Sequence, residues 1–246
     1  MDFSQIGANI IKLISKYWYV YLVEGVTTTL IFTCIAVALG VLLGTLIAIL
    51  KMSKSKIIRF LVNVYIEVIR GTPILLQLYI FYFVLPELLP FLNLTQFMWV
   101  AIAMCINSSA YVSEVIRSGI QAVDKGQTEA ARSLGMSQSQ TMMKIILPQA
   151  IRNILPALGN EFIMILKETS LASTFFLGDL MTSHKVVSGA TFLQLESLII
   201  VGCIYLCFTF PLSKLVEYFE KRMAKKTFKN KNKGNRFKKQ MSGGNI

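Results

Sequence analysis

The feature that most restricts the fold is the run from Thr27 to Leu50, which contains no charged side chain. As a helix this run rises about 36 Å, which is enough to cross the ~30 Å hydrocarbon core of a bilayer. Four small residues, Ala36, Gly40, Gly44 and Ala48, recur at every fourth position. A face of this kind lets a second helix approach closely. We therefore predict a membrane-spanning helix that packs through its small residues.

The composition of the whole chain agrees with this class of protein. Hydrophobic residues make up 54% and charged residues only 15% of the 246 residues, whereas a soluble domain has about 25% charged residues. The four cysteines lie in apolar runs without a C-x-x-C motif, and the chain has one histidine, so we expect no metal site, no cofactor and no catalytic constellation. The phosphate-binding pattern G-x-x-x-x-G-K-[ST] is absent, so the chain cannot bind ATP by that route.

Four further apolar segments follow along the chain. The second segment, 57–89, is too long for one straight span, and Pro73 in the sequence Gly-Thr-Pro is expected to break it. The other segments are 95–117, 148–180 (interrupted near its far end) and 193–215. We predict an all-α, polytopic membrane bundle with five transmembrane helices. Its parts are an N-terminal extracellular segment (1–20), the transmembrane domain (21–220) and a basic cytoplasmic tail (221–246).

The distribution of Lys and Arg predicts the orientation. Twenty of the 25 basic residues fall on one side of the predicted spans, three fall on the other side and two lie within spans. By the positive-inside rule the N-terminus is outside, and the 117–152 connection and the tail are cytoplasmic. The tail has no acidic residue from Lys221 onward. We interpret it as a solvated, disordered segment whose nearest partner is anionic lipid rather than nucleic acid.

The cytoplasmic connection contains signals for two short helices. Asp124 is placed to cap the first helix, and Gly135 suits the left-handed position that ends it. Ser137 and Gln140 form an S-x-x-Q capping box, which starts the next helix at once. The two helices cannot be collinear across Gly135. The first helix is therefore predicted to project from the membrane into the cytoplasm.

Here the sequence resembles a known family. The segment Glu129-Ala130-Ala131, three residues, Gly135, nine residues, Ile145, one residue and Leu147-Pro148 resembles the EAA loop of ABC importer permeases at every defined position. The stretch Glu67 to Pro73 is similar to the E-x-x-R-G-T-P motif of the polar amino-acid branch, which takes up histidine, glutamine, arginine or cystine. Further similar stretches are 110–119 and 167–171.

The resemblance implies a role and a set of partners. It implies the permease subunit of an ABC importer in a prokaryotic plasma membrane, with a coupling helix that docks on a separate cytoplasmic ATPase subunit. It also implies a second permease chain, identical or related, and an extracellular amino-acid-binding protein. The residues that it assigns to ATPase docking are Glu129, Ala130, Ala131 and Gly135. The sequence does not specify which amino acid is carried.

Polar residues inside the predicted spans are candidates for the substrate path, because such groups are costly in a membrane. Asn153, Asn160 and Lys167 recur every seven residues, with Glu161 and Glu168 one position further on. Glu161 is a candidate partner for the ammonium group of an amino acid. The other candidates for this path are Gln77, Asn107, Ser108, Asn160, Thr169 and Ser170.

A structural interpretation of the polar groups stays open, namely that they pair with one another and stiffen the bundle. Glu67 and Arg70 stand at i and i+3 on one helix, so we predict a structural ion pair between them. Glu114, near the cytoplasmic end of the third span, is also interpreted as structural.

Two other functions are alternatives to the importer. An ion-coupled secondary amino-acid transporter without an ATPase would explain the polar stripes but not the spacing from Glu129 to Pro148. Such carriers usually contain an internal repeat, and none is visible here. A membrane scaffold or receptor subunit without transport would leave the intramembrane polar residues unexplained.

Overall fold

The computed structural model describes the backbone of residues 3–242 and the side chains of residues 4–223. All regular structure in this part of the chain is helical. Short π-helical turns join several helices end to end, and 3-10 turns occupy Pro90–Leu92 and Thr169–Phe175. The α-helices are α1 (Phe3–Trp18), α2 (Val26–Lys51), α3 (Lys56–Gly71), α4 (Ile74–Tyr79), α5 (Leu85–Leu88), α6 (Gln96–Gln121), α7 (Lys125–Ser133), α8 (Gln138–Thr141), α9 (Leu147–Glu168), α10 (Leu180–Thr191) and α11 (Gln194–Ser242).

The helices agree with the predicted apolar segments. Helix α2 matches the first predicted span, α6 the third, and α9 with its following 3-10 turn matches the interrupted fourth. The predicted break at Pro73 is present, and α3 and the helix that begins at Ile74 make an angle of 102°. Three continuous helical stretches in the described part of the chain are long and apolar enough to cross a membrane, namely Ser4–Lys51, Gln96–Gln121 and Gln194–Met223. The number is four if this bent pair is one span. The multi-pass helical class is confirmed, whereas the count of five spans stays a prediction.

One helix lies outside the predicted segments, and one prediction needs revision. The connection between the fourth and fifth segments contains an additional helix, α10, in which the side chain of His184 is buried. The tail, expected to be disordered from its charge, continues α11 as helix to Ser242; Lys and Arg are good helix formers and no proline interrupts this stretch. Residues 243–246 lie outside the described part of the chain.

The chain forms two compact units. The first unit contains the residues up to Arg117 together with Glu161–Phe210, and the second contains Ser118–Asn160 and the chain from Pro211 onward.

The first unit is organised around the small-residue face of α2. Ala36, Gly40, Gly44 and Ala48 are all buried, as predicted. A Cβ atom placed on Gly44 would lie 2.7 Å from the Cβ of Val112, so α2 and α6 are in close contact there. The large apolar side chains of α2 lie on the opposite, exposed face, where hydrocarbon rather than water is the expected neighbour; they include Leu39, Leu42, Leu46 and Ile49.

A second core in the same unit holds the N-terminal helix. Leu13 and Tyr21 are buried with Leu180 and Val187 of α10. The hydroxyl groups of Tyr21 and Ser197 are hydrogen-bonded at 2.6 Å. The predicted N-terminal segment is therefore a packed helix, not a loose extension.

Candidate functional site

The predicted coupling loop lies in the second unit and has the expected bent form. Asp124 caps α7 by accepting a hydrogen bond from the backbone N–H of Gly126. Gly135 has φ +80°, the left-handed conformation that was predicted to end this helix. The side chain of Ser137 accepts from the N–H of Gln140, and the side chain of Gln140 accepts from the N–H of Ser137, so the capping box is complete. All three capping predictions are confirmed in this loop.

The docking residues of this loop differ in their exposure. Glu129, Ala130 and Gly135 are exposed, but Ala131 is only 5% exposed. Ala131 therefore belongs to the internal packing of the loop and does not present surface to a partner, which corrects that part of the prediction. The sequence reasoning missed Leu134, whose side chain is 84% exposed directly before Gly135.

Gln77 and Asn107, which were predicted to line the substrate path, are hydrogen-bonded inside the first unit. The amide of Gln77 donates to the carbonyl of Ile69 and to the hydroxyl of Thr72. Asn107 in turn donates to Oε1 of Gln77 at 3.0 Å. These bonds satisfy backbone groups that the break at Pro73 leaves without helical partners, as a membrane interior requires. The contacts that both side chains make here are structural, and their place in the substrate path stays a prediction.

The other path candidates differ in how far their polar atoms are used. The Thr169 hydroxyl donates to the carbonyl of Leu166 within its own helix end. Ser108 Oγ and Glu161 Oε1 are buried and have no hydrogen-bond partner among the described residues. Ser170 is half-buried, and Asn160 is exposed on the second unit. Glu161 and Ser108 therefore retain unused hydrogen-bonding capacity inside the first unit.

The predicted Glu67–Arg70 ion pair is wrong. Glu67 is exposed and forms no ion pair with any side chain in residues 4–223. Arg70 instead lies over the ring of Tyr111, 5.2 Å from its centroid, and 3.8 Å from Glu114. The i,i+3 spacing allowed the pair, but α6 offers Arg70 both a carboxylate and an aromatic face.

Glu114 is the centre of this charge cluster. Its carboxylate lies 2.6 Å from Lys51 Nζ and 2.8 Å from Arg117 Nη2. These contacts connect the ends of α2, α3 and α6, in agreement with the structural role predicted for Glu114. Among the side chains of residues 4–223, no three His, Cys, Asp or Glu residues are grouped so that they could bind a metal ion.

Comparison with known proteins identifies relatives over most of the chain. Residues 40–225 match the family model described as "Binding-protein-dependent transport system inner membrane component". The chain is 42% identical over 203 residues to the "Putative glutamine transport system permease protein GlnP" of Rickettsia bellii (strain RML369-C), covering 82% of this chain and 93% of that protein. It is 39% identical over 203 residues to the arginine transport system permease protein ArtQ of Bacillus subtilis (strain 168), covering 82% and 92% of the two chains.

A solved structure is also similar. The chain superposes on the crystal structure of an amino acid ABC transporter with histidines with a TM-score of 0.81 and 47% sequence identity. The match covers 85% of this chain and 96% of that chain.

Proposed function

Because this chain belongs to the family of binding-protein-dependent transport system inner membrane components, and is the permease subunit of an amino-acid ABC importer whose ATPase is a separate subunit, we propose how it works within that assembly. Two permease chains, identical or related, form the membrane path. A cytoplasmic ATPase subunit contacts the loop 124–147, and an extracellular binding protein delivers a polar amino acid. The N-terminus is outside and the C-terminus is cytoplasmic. The relatives named for glutamine and arginine support this substrate class.

The observation that carries this proposal is the shape of the loop 124–147. Its two helices meet at the left-handed Gly135, so α7 points away from the helix that continues into α9. The exposed surface at this corner contains Glu129, Ala130 and Leu134. In the assembly, Leu134 fills an apolar depression on the ATPase, and Ala130 permits close approach of the two backbones.

Pulldown of the ATPase subunit tests the docking role. Burial of a leucine side chain contributes about 1.5–3 kcal/mol, so Leu134→Ala should weaken binding by about 10- to 100-fold. Leu42→Ala is the matched control, since Leu42 is 67% exposed on the apolar face of α2. It should leave ATPase binding unchanged. Equal retention of the ATPase by both variants would argue against docking through this corner.

Gly135 provides a second test of the same surface. A side chain at φ +80° is strained, but Asn tolerates this conformation far better than Arg. Apart from the residues next to Gly135 in the chain, no atom lies within 4 Å of a Cβ placed there. The chain itself therefore has room for a side chain at this position. Gly135→Arg should abolish assembly or coupling while membrane insertion continues, and Gly135→Asn should retain most of both. Normal coupled transport by Gly135→Arg would contradict the docking role.

For the substrate path we propose that Glu161 contacts the ammonium group of the amino acid. Its Oε1 atom is buried without a partner among the described residues, and an unpaired buried carboxylate is costly. Glu161→Gln should raise KM for uptake by about 10-fold or more, the effect of losing a charged hydrogen bond. Glu67→Gln, at an exposed glutamate of α3, is the control and should leave KM unchanged. An unchanged KM in Glu161→Gln would remove Glu161 from the path.

A further inference from the structure

A cavity of about 340 Å³ lies in the second unit, between the first half of α9 and the part of α11 that ends at Met223. Its polar wall is formed by Arg152, Asn153, Asn160 and Glu220, and Pro156 and Ala157 contribute apolar surface. This volume falls within the ~300–1,000 Å³ typical of small-molecule sites. Arg152 lies only five positions after Leu147, where α9 begins directly beyond the coupling loop. The cavity is therefore on the ATPase side of the proposed permease.

The two charges in this wall are of opposite sign and are not neutralised by each other. No ion pair between Arg152 and Glu220 is present among the side chains of residues 4–223. Two other surface charges of α11, Glu217 and Lys221, do pair with each other, at 2.5 Å. The cavity thus keeps one donor and one acceptor of full charge facing a common space.

Pro156 also changes the backbone of one of the residues that line the cavity. Proline has no N–H, so the carbonyl of Arg152 loses the donor that a helix normally supplies four residues later. The amide of Asn153 donates to the carbonyl of Gly119 at 3.4 Å, which leaves its own carbonyl oxygen for other contacts. The amide of Asn160 is exposed.

This set of groups favours one chemical class of ligand. A simple anion would be repelled by Glu220, and a simple cation would be repelled by Arg152. A free α-amino acid carries a carboxylate and an ammonium group and can satisfy both charges at once, since charge-assisted hydrogen bonds of this kind are the strong ones. The apolar surface of Pro156 and Ala157 suits the aliphatic part of its side chain.

We propose that this cavity is a binding site for a zwitterionic amino acid on the cytoplasmic side of the importer. Arg152 binds the carboxylate, Glu220 binds the ammonium group, and the two asparagine amides contact a polar side chain. The site receives the amino acid that has been imported, so accumulated product slows further uptake. This inference rests on the proposed function, because only an importer in this orientation releases amino acid on that side.

The test uses the complete importer in vesicles, with the ATPase side facing inward, ATP inside and the binding protein outside. Vesicles are loaded with different concentrations of unlabelled L-glutamine or L-arginine, and uptake of the same radiolabelled amino acid is measured. Internal amino acid should slow uptake by the natural chain in a saturable manner. The analogues of L-glutamine that lack either the α-ammonium or the α-carboxylate group should not slow it. Equal inhibition by these analogues would overturn the proposal without the need for any variant.

Substitutions then locate the effect. Arg152→Gln and Glu220→Gln should each raise the internal concentration needed for half-inhibition by about 10-fold or more. The double variant Arg152→Glu with Glu220→Arg keeps one charge of each sign and should recover much of the inhibition. The controls are Arg59→Gln, at an exposed arginine of α3, and Glu217→Gln, at a surface position one turn before Glu220. Both controls should behave like the natural chain.

The possible failures are distinguishable. If uptake does not depend on ATP at all, the proposed function fails. If uptake depends on ATP but internal amino acid has no effect, or if Arg152→Gln and Glu220→Gln remain fully inhibited, the cavity is not the site and the importer role stands. A variant that does not assemble is replaced in the comparison by Asn160→Ala, which should weaken inhibition by L-glutamine in the same direction; full inhibition of that variant also counts against the site.

Discussion

The contact between α2 and α6 gives a quantitative test of the packing that holds the permease together. A Cβ atom on Gly44 would lie 2.7 Å from both Cβ and Cγ1 of Val112 and 2.8 Å from the carbonyl oxygen of Ser109. Ordinary contacts between carbon atoms begin at about 3.5 Å, so Gly44→Ala creates overlaps of roughly 0.8 Å. Neither the Cβ of Val112 nor a carbonyl can rotate away, so the two helices must separate.

The magnitude follows from two opposing terms. Overpacking of a tight contact costs about 1–3 kcal/mol, and replacement of glycine by alanine in a helix recovers up to about 1 kcal/mol of helix propensity. We expect Gly44→Ala to lower the free energy of unfolding by about 1–2 kcal/mol. Reversible unfolding in mixed detergent micelles, followed by circular dichroism, measures this free energy.

Gly202→Ala is the matched control for this prediction. Gly202 is also a helical glycine, in α11, but nothing lies within 4 Å of a Cβ placed on it. This substitution should be neutral or stabilise the chain by up to about 1 kcal/mol. If Gly44→Ala is as stable as Gly202→Ala, the close helix contact inferred from the small-residue face is wrong.

Three further predictions concern buried polar groups. Gln77→Leu should destabilise the chain by about 2–4 kcal/mol, because it leaves carbonyls at the helix break and the amide of Asn107 without partners. An effect below about 1 kcal/mol would exclude this structural role of Gln77. Glu114→Gln should lower the free energy of unfolding by about 2–3 kcal/mol in the same assay. This is less than the ~3–5 kcal/mol expected for a fully buried pair, because Glu114 is 15% exposed beside Lys51. Restoration of stability by adding Lys51→Gln would support the pairing, and no restoration would contradict it. Burial, and to a smaller extent the charge of Lys185, lowers the pKa of His184 below its usual 6.5. The stability that neutral His184 contributes is therefore present above pH 6.5 and is lost as the pH falls below that value. His184→Asn should reduce this acid sensitivity, and an identical pH profile of thermal unfolding in both proteins would contradict it.

Local signals in the sequence were sufficient to predict the backbone conformation of the loop 124–147. Gly135 and the pair Ser137 and Gln140 act through bonds to their near neighbours, so their capping roles could be predicted without tertiary information. The first span and the break at Pro73 were predictable for the same reason, since hydrophobic length and the missing N–H of proline are properties of the segment itself.

The partners of polar side chains could not be predicted in this way. Arg70 had Glu67 within reach on its own helix, yet it contacts Tyr111 and Glu114, which only the packing of α6 brings near. Gln77 was interpreted as part of the substrate path because it is polar and intramembrane. Its role in satisfying the helix break depends on Ile69, eight residues away across a 102° bend.

Exposure within the loop was likewise a property of the folded chain. Ala130 and Ala131 are chemically identical, and the sequence alone gave no reason to separate them. Only the fold of α7 against the following turn makes Ala131 buried and leaves Leu134 exposed. The seven-residue repeat of polar side chains in α9 was visible in the sequence, but the sequence did not show that Asn160 and Glu220 line one cavity.

The most direct test of the central claim is amino-acid uptake by the chain reconstituted in proteoliposomes with its ATPase subunit and binding protein. We predict uptake that requires both ATP and the ATPase subunit and that continues when proton and sodium gradients are abolished. Uptake by the chain alone, driven by an ion gradient without the ATPase, would contradict the importer mechanism and support the ion-coupled carrier.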